Sequence, residues 1–167
     1  MFAQLDTKSV YSFMDSVVDL NTYVKRAKEL GYQSIGLMDR DNLYAAYHFA
    51  QLAIRNGLRP LIGTEANLFY EGRKIPFRLL AKNNQGYKNL MKLATELSSG
   101  QREFTYFSDY LNDIALILPS EDWEPGMSLG SEVFIGVRPE DAGKEFDYPV
   151  VPLHTVRYFE NSDRSTI

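Results

Sequence analysis

Short apolar runs that alternate along the chain with amphipathic helical stretches constrain this sequence more than any other feature. Residues 2–5 read as a starting strand, and 19–30 as a helix with Leu20, Tyr23, Val24, Ala27 and Leu30 on one face and Gly31 as its stop. Residues 33–38 are short and apolar. A second helix is expected over 42–56, with Asp41 as N-cap, Leu43, Ala46, Tyr47, Ala50 and Ile54 as its buried stripe, and Gly57 ending it. Residues 61–64 form the next strand. Residues 66–70 and 75–81 flank Glu71-Gly72-Arg73-Lys74, a polar connection that suits a hairpin. A third helix over 84–97 turns Tyr87, Leu90, Met91 and Ala94 inward, and 114–118, 133–137 and 150–153 read as further strands.

Strands alternating with helices imply an α/β fold with a largely parallel sheet, either doubly wound or curled into a barrel. In such barrels functional groups sit just past the C-terminal ends of the strands, and those places hold Asp6, Asp39, Glu65 and His154. A closed barrel of this type takes roughly 250 residues. The chain has 167 and stops soon after a strand, so an incomplete barrel, a fragment, is expected.

With 44% hydrophobic and 24% charged residues the chain has the make-up of one globular domain. Its formal charge of -4 is the wrong sign for wrapping a phosphate backbone, so weak DNA affinity is expected of this piece alone. No cysteine is present, which excludes disulfides and thiolate metal sites. Neither a leader sequence nor a spanning helix is recognisable, so a soluble, cytoplasmic protein with no membrane partner is expected.

Several stretches carry a resemblance. Gln4-Leu5-Asp6-Thr7-Lys8-Ser9-Val10-Tyr11-Ser12 falls where one family has a His-x-His-x-His strand end running into Tyr-Ser, and Tyr11, Ser12 and the following Asp15 are kept. Met38-Asp39-Arg40-Asp41-Asn42-Leu43-Tyr44 is similar to that family's Thr-Asp-His-Gly-Asn-Met-Tyr turn, and Pro60-Leu61-Ile62-Gly63-Thr64-Glu65 to its Pro-Ile-Ile-Gly-Cys-Glu strand. Leu79-Leu80-Ala81-Lys82-Asn83-Asn84-Gln85-Gly86-Tyr87 resembles its strand-to-helix junction, and Thr155-Val156-Arg157-Tyr158 stands where it has Asp-Val-His-Tyr. The family is the PHP (polymerase and histidinol phosphatase) domain of bacterial DNA polymerase III alpha subunits, DnaE type. The resemblance implies that residues 1–167 are the N-terminal part of a single PHP domain, a distorted (β/α) barrel, with the polymerase palm, fingers and thumb absent.

Intact PHP sites hold two or three divalent metals in a cluster of His and carboxylate ligands for phosphoester hydrolysis. Set against that pattern, the vestigial metal-site positions read Gln4, Asp6, Lys8, Asp39, Arg40, Glu65, Pro76, Thr155 and Arg157. Of these, Glu65 is a clearly retained ligand type. Lys and Arg offer no lone pair to a metal while charged, so no metal, no cofactor and no catalytic residue is expected in this chain. The cations Lys8, Arg40 and Arg157 are instead placed to meet Asp6, Asp39 or Glu65, and these six are expected to form an ion-pair cluster joining strand ends.

Asp39-Arg40-Asp41 has the spacing of a two-metal pair, but a helix cap at Asp41 and a surface acid are the better reading. His48 is expected to be an exposed or boundary side chain and His154 a satisfied structural histidine. Tyr11, Tyr44 and Tyr47 are expected in the core rather than as a stacking platform for bases. The resemblance thus implies a structural, scaffolding part of a DNA-directed DNA polymerase, a nucleotidyltransferase with Mg in its own polymerase domain. Its partners would be the remainder of the alpha subunit, the replisome and primer-template DNA, with a proofreading exonuclease as a further candidate. The alternatives are a metal-dependent phosphoesterase or 3′-5′ exonuclease using Asp6, Asp39 and Glu65, and a free-standing interaction module.

Overall fold

The computed structural model describes residues 3–130, 132–141 and 143–159; Phe2 and the tail from 160 lie outside the described residues. In chain order the elements are β1 (Ala3–Gln4), β2 (Asp6–Thr7), α1 (Leu20–Glu29), β3 (Ser34–Arg40), α2 (Ala46–Arg55), β4 (Arg59–Tyr70) and β5 (Arg73–Ala81). Then follow α3 (Asn84–Ser98), β6 (Ile114–Pro119), β7 (Val133–Val137), β8 (Val150–Pro152) and β9 (Thr155–Val156). The chain divides into two compact units, one of residues 1–64 and 154–167 and the other of residues 65–153.

In the first unit β1 runs parallel to β3 with Gln4 opposite Ile35, and β2 runs parallel to β9 with Asp6 opposite Thr155. Parallel partners cannot be joined by a tight hairpin, and α1 lies in the crossover between β1 and β3. Asp19 caps α1, its carboxylate accepting from the Thr22 amide at 2.9 Å; that bond, first among the causes, holds Asp19 below the usual carboxylate range. The buried face of α1 is Leu20, Tyr23, Val24 and Ala27, while Leu30, expected inside, lies past the last turn and is exposed. Tyr23 stacks on Phe49 at 5.9 Å and its hydroxyl donates to Gly36 O at 2.9 Å, and burial pushes the phenol well above its ordinary value.

The second helix departs from expectation. It starts at Ala46 rather than 42, and Asp41 is not its cap: Asp41 has φ 54 and sits in a turn. Asn42 explains this, because its side chain accepts from the Tyr44 amide and donates to Arg40 O, offering the backbone a turn in place of a helix. The buried face is Ala46, Phe49 and Ala53, so Tyr47 and Ile54 face solvent instead of the core.

In the second unit the expected hairpin is present, its two ends joined by Glu71 and Gly72, both with positive φ (51 and 77), the pairing a tight two-residue connection needs. Strand β4 is longer than expected, one strand of 12 residues, and its residues up to Thr64 belong to the first unit. Strands β5 and β6 pair antiparallel, and β6, β7 and β8 pair parallel. Asn83 caps α3 by accepting from the Gln85 and Gly86 amides. Gly86 is required there, since an added Cβ would lie 2.1 Å from Asp113 O. Leu90, Leu93 and Leu97 form the buried stripe of α3, whereas Met91 is exposed.

Candidate functional site

Of the nine positions expected to be vestigial, Gln4, Asp6, Lys8, Asp39 and Glu65 are buried, Pro76, Thr155 and Arg157 are partly buried, and Arg40 is exposed. Asp6 stands in β2 and Lys8 follows it, so the two residues lie two apart along an extended segment and share a side. The Lys8 ammonium is fully buried, 2.6 Å from Asp6 Oδ1 and 2.6 Å from Met38 O. The second Asp6 oxygen accepts from the Thr155 hydroxyl at 2.6 Å, which is why β2 and β9 meet in this register. Gln4 donates from Nε2 to His154 O at 2.6 Å and to Asp6 O at 3.2 Å.

Asp39, near the end of β3, accepts three hydrogen bonds at 2.7 Å, from the Ser9 amide, the Ser9 hydroxyl and the Ser12 hydroxyl. Its own carbonyl accepts from the Thr64 hydroxyl at 2.8 Å. Arg40 and Arg157 converge on a different acid. Arg40 Nη2 lies 2.9 Å from Asp15 Oδ2 and Arg157 Nε 3.0 Å from Asp15 Oδ1. The Arg157 approach lacks hydrogen-bond alignment, so it acts by charge proximity alone. In the second unit Glu65 faces Arg78 at 3.3 Å, and Arg78 also donates to Pro76 O at 2.7 Å.

Of the six residues, Lys8 meets Asp6 as placed; Arg40 and Arg157 both approach Asp15, and Glu65 faces Arg78. Neither Asp15 nor Arg78 was singled out from the sequence. Arg78 had a signal, since it lies two residues beyond Pro76 and a strand turns alternate residues to one side. Asp15 had none beyond its place in the kept Tyr-Ser-x-x-Asp stretch. His48 and His154 are both exposed, and so are Tyr11, Tyr44 and Tyr47, against the expectation that these tyrosines are core.

A divalent metal would not fit these residues as they stand. Both Asp6 oxygens and both Asp39 oxygens already accept from side chains, and an ammonium fills the space beside Asp6. Among the described residues no group of three or more His, Asp or Glu gathers to hold a metal ion. A cavity of about 730 Å³ in the second unit, lined by Phe69, Phe104, Leu111 and Leu129 among others, contains none of the nine positions.

The family model for the PHP domain matches residues 4–124. The chain belongs to the PHP domain family. A DNA polymerase III subunit alpha of Streptococcus pyogenes serotype M1 is 46% identical over 169 residues, covering 100% of this chain and 16% of the relative. The same-named protein of Bacillus subtilis is 33% identical over 126 residues, 72% of this chain and 11% of that one. The chain is thus similar to the N-terminal region of these subunits and spans about a sixth of the length of the first. Among solved structures, an amidohydrolase from Chromobacterium violaceum with bound sulfate and no metal matches with TM-score 0.49 at 18% identity, over 59% of this chain and 34% of that one. The α/β class and the parallel strand pairs are those expected of a PHP domain. Among the described residues no helix is long and apolar enough to cross a membrane.

Proposed function

We propose that residues 1–167 are the N-terminal part of a single PHP domain in a bacterial replicative polymerase, and that the former metal site works as a structural tie instead of a hydrolytic centre. The Lys8 ammonium carries this reading, a buried cation held by a carboxylate and a carbonyl oxygen where the family places metal ligands. Carboxylates facing one another without a cation repel and are costly to bury. Lys8 supplies the positive charge covalently, and Ser9, Ser12 and Thr155 supply hydroxyl donors to the remaining carboxylate oxygens. The parent would be a template-directed nucleotidyltransferase of the cytoplasm, with Mg in a polymerase domain outside this chain. Its partners would be the remainder of the alpha subunit, primer-template DNA and the replisome, with a proofreading exonuclease as a further partner to test.

The test is elemental analysis of protein purified without chelator, joined to Lys8→Met in the complete polymerase. Well under one zinc, manganese or iron per chain is expected, with a lowered melting temperature and a nucleotide-incorporation rate at low temperature within twofold of the unmodified enzyme. Two or more tightly held ions per chain, or a collapse in rate at unchanged melting temperature, would overturn the reading.

A further inference from the structure

We propose that the aromatic surface formed by residues 10–14 and the approach to α2 is where the rest of the polymerase polypeptide packs onto this segment; the proposal rests on the structural reading above. Phe13 is 86% exposed, Met14 80%, Tyr44 79% and Tyr47 71%, with Val10 and Tyr11 half exposed beside them. Large apolar side chains at such exposure in consecutive positions mark an interaction site more often than a finished surface.

The surface is built rather than loose. Two successive turns shape residues 9–15, the Ser12 amide donating to Ser9 O and the Asp15 amide to Ser12 O, both at 2.9 Å. The hydroxyls of Ser9 and Ser12 anchor those turns on the buried Asp39. Asn42 then ties the two segments together, donating to Tyr11 O at 3.2 Å and accepting from the Tyr44 amide at 3.1 Å. Met14 is held at φ 56, a left-handed conformation rare for a residue with a side chain, and the turn thereby turns Met14 outward with Phe13. A preorganised surface loses little freedom on binding.

Area and chemistry select the occupant. At roughly 200 Å² per aromatic side chain, the six residues present on the order of 800 Å², one partner's share of a standard protein interface. Tyr, Phe, Met and Arg are the residues enriched in interface cores, and Arg40 and Arg157, about 40% exposed beside Asp15, give the surface a guanidinium rim. The matching face is apolar with carboxylates at its edge. Nucleic acid is disfavoured as occupant, because the chain carries a net charge of -4. This chain matches 16% of the length of the Streptococcus pyogenes relative, and the remainder of a polypeptide of that kind is the occupant assigned to the surface.

Hydroxyl-radical footprinting of the complete polymerase against the 167-residue chain tests this. Phe13, Met14, Tyr44 and Tyr47 should oxidise at least tenfold more slowly in the complete polymerase. A Phe13→Ser/Tyr44→Ser variant should lower the melting temperature of the complete polymerase by several degrees and leave that of the 167-residue chain unchanged. Equal oxidation in both proteins overturns the surface. So does protection that appears in the 167-residue chain as its concentration rises, which assigns the face to a second copy, or protection that needs added primer-template, which assigns it to DNA. If instead the complete polymerase melts in two independent steps and a protease releases the segment intact, the underlying structural reading fails whatever the footprint shows.

Discussion

Replacing Lys8 by Met removes the buried ammonium while keeping most of the side-chain volume, so the loss reports on charge rather than packing. Both Lys8 and Asp6 are fully buried, and the variant leaves Asp6 without the cation 2.6 Å away and Met38 O without its donor at 2.6 Å. Removing one partner of a buried pair costs about 3–5 kcal/mol, and an orphaned carbonyl about 1–3 kcal/mol. The two overlap, and the ammonium's own desolvation cost is recovered, so a net loss of about 3–4 kcal/mol is expected. At about 2–4 °C per kcal/mol for a chain of this size, the melting temperature should fall by roughly 6–16 °C. Urea unfolding of the single variant and of Asp6→Asn/Lys8→Met measures both. The double variant should recover at least half the loss, because its neutral amide needs no countercharge and can still accept from Thr155. A single-variant loss below about 1 kcal/mol, or a double variant no better than the single, would refute the tie.

Arg157→Gln should cost less than about 1 kcal/mol in the same urea series, since the guanidinium is 38% exposed and its pairing with Asp15 is screened by water. Gly36→Ala should cost about 3 kcal/mol or more or abolish folding, read by circular dichroism, because an added Cβ would lie 2.2 Å from Leu5 O. Asp141 is held at about 2, below its ordinary 3.8, first by the Lys144 ammonium and then by the Ser120 hydroxyl. A carboxylate depressed in the fold stabilises above its ordinary value and loses that contribution as pH falls through its folded one. Its share of stability should therefore be constant above about pH 5 and fade between 3.8 and about 2. An NMR titration of Asp141 should show its midpoint rising toward the ordinary value in Lys144→Ala, and an unmoved midpoint would remove Lys144 as the cause.

Element order was legible because period-2 and period-3.6 patterns survive in the sequence, and Asp19, Asn83 and Glu71-Gly72 mark their boundaries with the expected chemistry. The start of α2 was not legible, since Asn42 competes for the backbone and the competition is settled by where its side chain finds Tyr11 O and Arg40 O. Nor was its buried face, which takes Phe49 and leaves Tyr47 on the surface. That Lys8, Arg40 and Arg157 offer no lone pair to a metal while charged was readable from residue types alone. The partners of these cations were not, because a Lys or Arg beside a strand end can extend into solvent or fold inward, and the choice depends on acids such as Asp15 that are distant in sequence.

The substituted positions make physical sense together rather than singly. A carboxylate is acceptor-only, and each buried one must meet a cation or several donors. Around the buried carboxylates this chain places hydrogen-bond donors: the Lys8 ammonium and the Thr155 hydroxyl on Asp6, and the Ser9 and Ser12 hydroxyls on Asp39. Placing a single histidine at Lys8 would therefore introduce one lone-pair donor among groups that still point hydrogens inward. It would also expose Asp6 to the loss of its ammonium partner, so the change is uphill for stability before any metal can offset it. The same coupling applies to each of the carboxylates Asp6, Asp39 and Glu65: each is held by a donor of this chain's own, and removing any one would strand that donor.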